Sequence, residues 1–123
     1  MLIFNHLFND YSGSVKVFHD LINSLDPSNK KKSILITSRN NGFLSNVSVD
    51  EKLDNGFKRS KFKFLIILRY IKSQINCFIF VIKNFHKNKN KAKLIIINNT
   101  IYNIGSTIAA GLLGVKVVMI VHE

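Results

Sequence analysis

A chain with one cysteine, Cys77, can form no internal disulfide and cannot build a cysteine-type zinc site. Acidic residues are also scarce, 7 against 18 Lys and Arg, so the 123 residues carry a formal net charge of +11. Neither a GxGxxG fingerprint nor a Walker loop occurs, which removes the two commonest sequence signatures of nucleotide binding. His6, His19 and His86 fall at no metal-ligand spacing with a second His or a Cys, and no metal site is expected. No basic leader or small-residue cleavage site accompanies the opening MLIFNHLF, so it reads as a strand, not a secretory signal, and the expected location is cytoplasmic.

Long uninterrupted apolar runs are missing as well. The segment 62–82 is broken by Arg69, Lys72, Gln74 and Asn76, and 94–121 by Asn, Gly and Lys. Neither is expected to span a membrane.

What is present is enough apolar content, 46%, for the core of one domain. MLIFNHLF suits a buried strand. Val15, Phe18, Leu21, Ile22 and Leu25 then recur at helical spacing; a Ser hydroxyl at Ser12 or Ser14 is expected to cap this helix, and Pro27 to end it. SILITS at 33–38 is a second strand. From Arg39 to Lys61 the pattern fades into a loop with one weak strand expected around Leu44–Val49. Phe64, Leu68, Ile71, Ile75, Phe78, Ile82 and Phe85 form one apolar stripe, the expected buried face of a long helix. LIIINN at 94–99 is a third strand, and IGSTIAAGLLG a short helix whose Ala109, Ala110 and Gly111 allow close packing. Gly114 is its stop, and KVVMIVHE a last strand.

This alternation predicts an α/β fold, a Rossmann-like three-layer sandwich with a mainly parallel sheet. Ligands of such sheets sit beyond the carboxyl ends of the strands. Asn9–Ser14, Asn98–Tyr102 and His122–Glu123 are expected there.

Each of these spots has two readings. The turn DYSGS at 10–14 is either a plain strand-to-helix connection or a helix N-terminus facing an anion, with Gly13 admitting close approach. Asn98, Asn99 and Thr100 either cap the next helix or bond sugar hydroxyls. His122 and Glu123 are more pointed: a His at a strand's end can serve as acid, base or phosphate donor, with a carboxylate to orient it. The basic runs Lys30–Lys32 and Lys83–Lys93 are either solvated surface, as an A/T-biased coding sequence would supply, or a docking surface for an anionic membrane. With no aromatic-interleaved basic motif and no helix-turn-helix, nucleic acid is the lesser reading.

Taken together, HLFNDYSGSVKVFHDLINSL, SILITSRNNGFLS and LIIINNTIYNIGSTIAAGLLGVKVVMIVHE resemble the N-terminal half of glycosyltransferase family 4, group 1 glycosyltransferases of the GT-B fold. The shared features are the glycine turn after the first strand, Gly42-Phe43-Leu44 after the second, and a small-residue helix between strands ending in Asn and in His-Glu. The likeness covers most of the chain outside Val47–Lys93. It implies transfer of a sugar from a nucleotide-sugar donor to a glycan or lipid-linked acceptor in polysaccharide or lipopolysaccharide synthesis, at the inner face of the plasma membrane. By that likeness His122 is the catalytic candidate at the cleft edge, with Glu123 its neighbour, and Gly13 and Ser14 form the turn that approaches donor phosphates and acceptor; Asn99 and Thr100, read above as partners of sugar hydroxyls, complete the expected substrate-binding set with Gly13, Ser14 and Glu123. The family's Gly-Gly turn is Gly13-Ser14 here. No cofactor is implied within these residues, since the donor belongs to a C-terminal domain that they do not include; the chain is expected to be a truncated or split piece, with a separate chain carrying that domain as one candidate partner. The alternative is a small Rossmann-like interaction module that docks through its basic surface.

Overall fold

Leu2–Asn5 (β1), Ser33–Thr37 (β2), Glu51–Asp54 (β3), Ile95–Asn99 (β4) and Lys116–Ile120 (β5) form one sheet in the computed structural model, which describes residues 1–30, 32–87, 94–100 and 102–121. The strand order is β3-β2-β1-β4-β5 and every pairing is parallel. Helices Gly13–Asn23 (α1), Pro27–Lys30 (α2), Lys63–Lys87 (α3) and Ile104–Leu113 (α4) complete it. This is the expected α/β class, a Rossmann-like three-layer arrangement.

Parallel strands covered on both faces read as continuous apolar runs, and β2 is buried at all five positions. Alternate residues serve opposite layers. Ile3, Ile34, Ile36 and Ile96 meet Cys77 and Val81 of α3 and Ala109 and Ala110 of α4. Phe4 and Leu35 meet Val15, Phe18 and Ile22 of α1, with Leu44 and Val47 closing that side. Phe18 and Ile22 are completely buried, each worth about 1.5–3 kcal/mol relative to exposure.

Four local expectations are corrected. Ser12 does precede α1, but its hydroxyl makes no capping bond; Asp10 Oδ1 instead accepts the Ser12 N–H at 2.9 Å. Pro27 opens α2, where its fixed φ and missing N–H do no harm. The third strand is Glu51–Asp54, not Leu44–Val49: Phe43–Asn46 is a 3-10 turn, and Leu44 and Val47 are buried as packing residues of the α1 layer. Only Leu53 marks β3 as apolar, because an edge strand with one neighbour buries little.

The largest correction concerns α3. By length and composition it is apolar enough to cross a membrane, but its buried residues are Ser73, Gln74, Cys77, Val81 and Asn84. Phe64, Leu68, Ile71 and Ile75 of the expected stripe are exposed instead, while Phe78, Ile82 and Phe85 lie half-buried. Close crossing of α3 and α4 explains the rotation. A Cβ on Gly105 would collide with the Gln74 carbonyl, so only small or polar side chains fit this seam. The polar ones are satisfied: Gln74 Oε1 accepts the Gly105 N–H at 2.8 Å, Ser73 Oγ donates to Tyr70 O at 2.7 Å, and Asn84 Nδ2 to Phe80 O at 2.7 Å.

Gly114 ends α4 with φ 71°, as a left-handed stop requires. Within α4, Gly105→Ala is expected to destabilise by about 1–3 kcal/mol through overpacking against Gln74. At Gly111 a Cβ meets nothing within 4 Å, and Gly111→Ala is expected to stabilise by about 0.5–1 kcal/mol. Urea midpoints of the two variants check the contrast.

Candidate functional site

β1 and β4 end side by side, in register at Asn5 and Asn98, at the point where the strand order reverses direction. Both strands close on asparagine, and the Asn5 and Asn98 amides are wholly buried. Asn5 Nδ2 donates to Ser106 Oγ at 2.8 Å, and that hydroxyl donates to Asn98 Oδ1 at 2.8 Å. Asn98 Nδ2 reaches Thr107 Oγ1 at 3.0 Å, while Asn103 Nδ2 donates to the carbonyls of Asn5 and Asn99, each at 3.1 Å. Cys77 Sγ approaches Asn5 Oδ1 at 3.7 Å from beneath. Burial pushes this thiol up to about 12, the bond from Asn5 opposing only in part, so it stands as a neutral donor.

Beside this cluster, Asn99 joins the start of α1 to the end of β1. Its Nδ2 donates to Ser14 O at 3.2 Å and lies 3.0 Å from His6 Nδ1. The Ser14 carbonyl can only accept, so the amide nitrogen faces both groups, and it donates to His6 Nδ1 in the tautomer that carries the ring proton on Nε2. Thr100 follows with φ 90°, a strained conformation for a β-branched residue, its N–H bonded to Ile120 O at 2.9 Å.

A cleft of about 260 Å³ opens beyond β2 and β3, lined by Thr37, Ser38, Arg39, Asn40, Lys52 and Asp54 among others. A second, about 460 Å³, adjoins it through Arg39, Asn40 and Asp54 and adds Phe8, Phe57, Lys58 and Arg59. Their walls are built by amides. Asn9 Oδ1 accepts from Leu44 N at 3.0 Å and its Nδ2 donates to Ser45 Oγ at 3.1 Å; a Cβ on Gly42 would strike this side chain, so the glycine here serves packing. Asn55 Nδ2 donates to Leu7 O and its Oδ1 accepts from Phe57 N, both at 2.9 Å. Gly56, φ 81°, completes this turn after β3.

The cleft is cationic. Arg39 pairs with Asp54 at 3.5 Å, and Arg59 pairs with Asp10 at 3.6 Å while lying over the Phe8 ring at 4.2 Å. Partial burial works to raise the Asp10 pKa but is outweighed by the Ser12 hydrogen bonds and the Arg59 charge, which hold it below the usual carboxylate value. Thr37 Oγ1, in the wall of the first cleft, is buried and has no hydrogen-bond partner among the described residues.

The structure thus brings Ser14 and Asn99 together and sets Gly13 and Thr100 beside them in sequence, at the carboxyl edge where they were expected. Asn99 is committed to internal bonds. A Cβ on Gly13 would meet nothing within 4 Å, so no packing contact requires glycine there. His122 and Glu123 lie outside the described residues, as do parts of the two basic runs. Sequence reasoning passed over His6, read as a plain strand residue, and Asn5, Asn103, Ser106, Arg39 and Arg59. The signal available was the abrupt polar ending of LIFN and IIINN. Comparison of the chain with protein-family models, curated proteins and solved structures finds no match.

Cys77 should be inert to a thiol reagent at pH 8 in the folded chain and should label at the rate of opening once urea is added. Because the folded thiol stays protonated above its ordinary value of 9.0, stability should fall as pH rises past that value. Thr100→Gly is expected to raise stability by about 1 kcal/mol by releasing backbone strain, as read from thermal unfolding.

Proposed function

We propose that this chain is the acceptor-side domain of a glycosyltransferase, holding a glycan or lipid-linked acceptor while a second domain delivers the nucleotide sugar. The observation that carries the reading is the pair of adjoining cationic clefts at the carboxyl edge of the sheet, which combine Arg39, Lys58 and Arg59 with the Thr37 hydroxyl, without a hydrogen-bond partner among the described residues. Amides and hydroxyls suit sugar hydroxyls, and guanidinium groups suit phosphate through paired N–H donors. The open space over Gly13, at the start of an 11-residue helix, supports the same edge as the place where substrate approaches.

In this reading the acceptor oxygen bonds the anomeric carbon, the bond from that carbon to the nucleoside diphosphate breaks, and the acceptor's proton leaves to a base. His122 and Glu123 keep the roles that the family resemblance implies. Gly13 and Ser14 border the acceptor. The donor is held elsewhere, so the purified 123-residue chain is expected to turn over no nucleotide sugar alone.

Titration with glucose 1-phosphate, followed by amide NMR, should move the signals of Ser38–Asn41 and Phe57–Arg59. Arg39→Ala should weaken the interaction at least tenfold, since a hydrogen bond to a charged group is worth about 1.5–3 kcal/mol. Gly13→Ala should leave the unfolding midpoint unchanged or higher. Absence of shifts at those amides removes the sugar-phosphate reading, and turnover by the chain alone removes the need for a second domain.

A further inference from the structure

The net positive charge of this chain is confined to one part of it. Residues 1–54 hold six basic and six acidic side chains, whereas residues 55–122 hold twelve basic ones and no Asp or Glu. α3 and α4 both belong to the second part. Their outer surface is apolar.

From Lys63 to Lys72 no residue of α3 is buried. Phe64 is 70% exposed, Ile67 56% and Ile71 50%, and the surface continues through Ile75 onto Ile108 and Leu112 of α4. A groove of about 300 Å³ between the helices is lined almost wholly by carbon, with Tyr70, Ile71 and Phe78 on one side and Ile104 and Ile108 on the other. Only 22% of the most apolar stretch of α3 is buried in the protein, where a core helix would be mostly covered. An exposed apolar patch this continuous marks a contact surface.

Cations frame the patch. Lys61 and Lys63 flank Phe62 in sequence, Lys72 follows Ile71, and Arg69 Nη1 donates to Arg59 O at 3.0 Å, drawing the basic segment Lys58–Lys61 alongside the helix. We propose that the outer face of α3 and α4 docks this domain onto an anionic lipid bilayer, with α3 lying in the plane of the interface. Aliphatic and Phe side chains enter the acyl boundary while Lys and Arg meet the headgroups, as in interfacial amphipathic helices. The helix does not cross the bilayer, since Cys77 and Val81 are fully buried against the sheet.

Charge selects lipid over the other occupants. Two copies joined through this face by two-fold symmetry would bring their cationic rims together with no Asp or Glu among residues 55–122 of either copy to offset them. The Ile- and Leu-rich surface lacks the stacked aromatic platform that single-stranded nucleic acid uses. This proposal does not depend on the sugar-transfer reading, which concerns the carboxyl edge of the sheet.

The chain contains no tryptophan, so Phe64→Trp supplies a single reporter. With vesicles of phosphatidylcholine and phosphatidylglycerol at 7:3, the indole emission should shift to the blue and be quenched by brominated acyl chains. Partitioning onto these vesicles should exceed that onto pure phosphatidylcholine at least tenfold and fall with added salt. Lys61→Gln and Lys63→Gln should each weaken it about fivefold, and Phe64→Ser with Leu68→Ser at least tenfold. Lys16→Gln with Lys32→Gln, outside the patch, should change it little, and circular dichroism should show every variant folded. The proposal is overturned by equal partitioning onto neutral vesicles, by an unshifted emission from the Phe64→Trp reporter, or by equal loss in the control altered at Lys16 and Lys32. It is overturned too by a dimer in light scattering that Phe64→Ser with Leu68→Ser dissociates, or by DNA displacing the chain from the vesicles.

Discussion

Four asparagine amides, all but inaccessible to solvent, hold the centre of this fold. Asn5 and Asn98 are partners on neighbouring strands, Asn99 reaches α1, and Asn103 ties the entry of α4 back to both strand ends. A buried amide without partners costs about as much as several good contacts contribute, and every one of these side-chain nitrogens donates within the protein, while Asn103 Oδ1 has no partner among the described residues. Ser106, Thr107 and Cys77 are placed by that demand. Gln74 and Gly105 close the seam between α3 and α4 next to this network.

Once the seam admits only small and polar side chains, the large apolar residues of α3 have to turn outward. The greasy outer face is therefore a consequence of the polar interior. Were Phe64 and Ile71 in the core, Ser73 and Gln74 would lie in water and Gly105 would lose its hydrogen-bond partner. The same arrangement sets two unlike surfaces apart. The carboxyl edge of the sheet carries the clefts with Arg39 and Arg59, and the helical layer over Cys77 and Val81 carries the apolar face framed by lysines.

Legibility in the sequence followed how strongly each segment's own chemistry constrained it. Buried parallel strands are continuous apolar runs, so SILIT and IIINN were readable, and Gly114 announced its left-handed stop. EKLD was unreadable as a strand because an edge position needs only backbone pairing with β2, and Val47 and Val49 attracted the assignment to their own segment instead. For α3 the 3.6-residue period correctly identified a helix and mistook its facing. An apolar stripe signals that a helix will bury something, without saying whether the protein or a partner does the burying.

The sequence by itself determined the α/β alternation, the carboxyl edge as the place where polar and glycine residues gather, and the excess of positive charge. These depend on local periodicity and composition, which are complete in the chain. Tertiary structure alone decided that Asn99 is spent on Ser14 and His6, that Arg39 and Arg59 share adjoining clefts, and that α3 shows its largest side chains to the outside. Those outcomes depend on distances between residues remote in sequence, and on the exclusion of bulk where two helices touch.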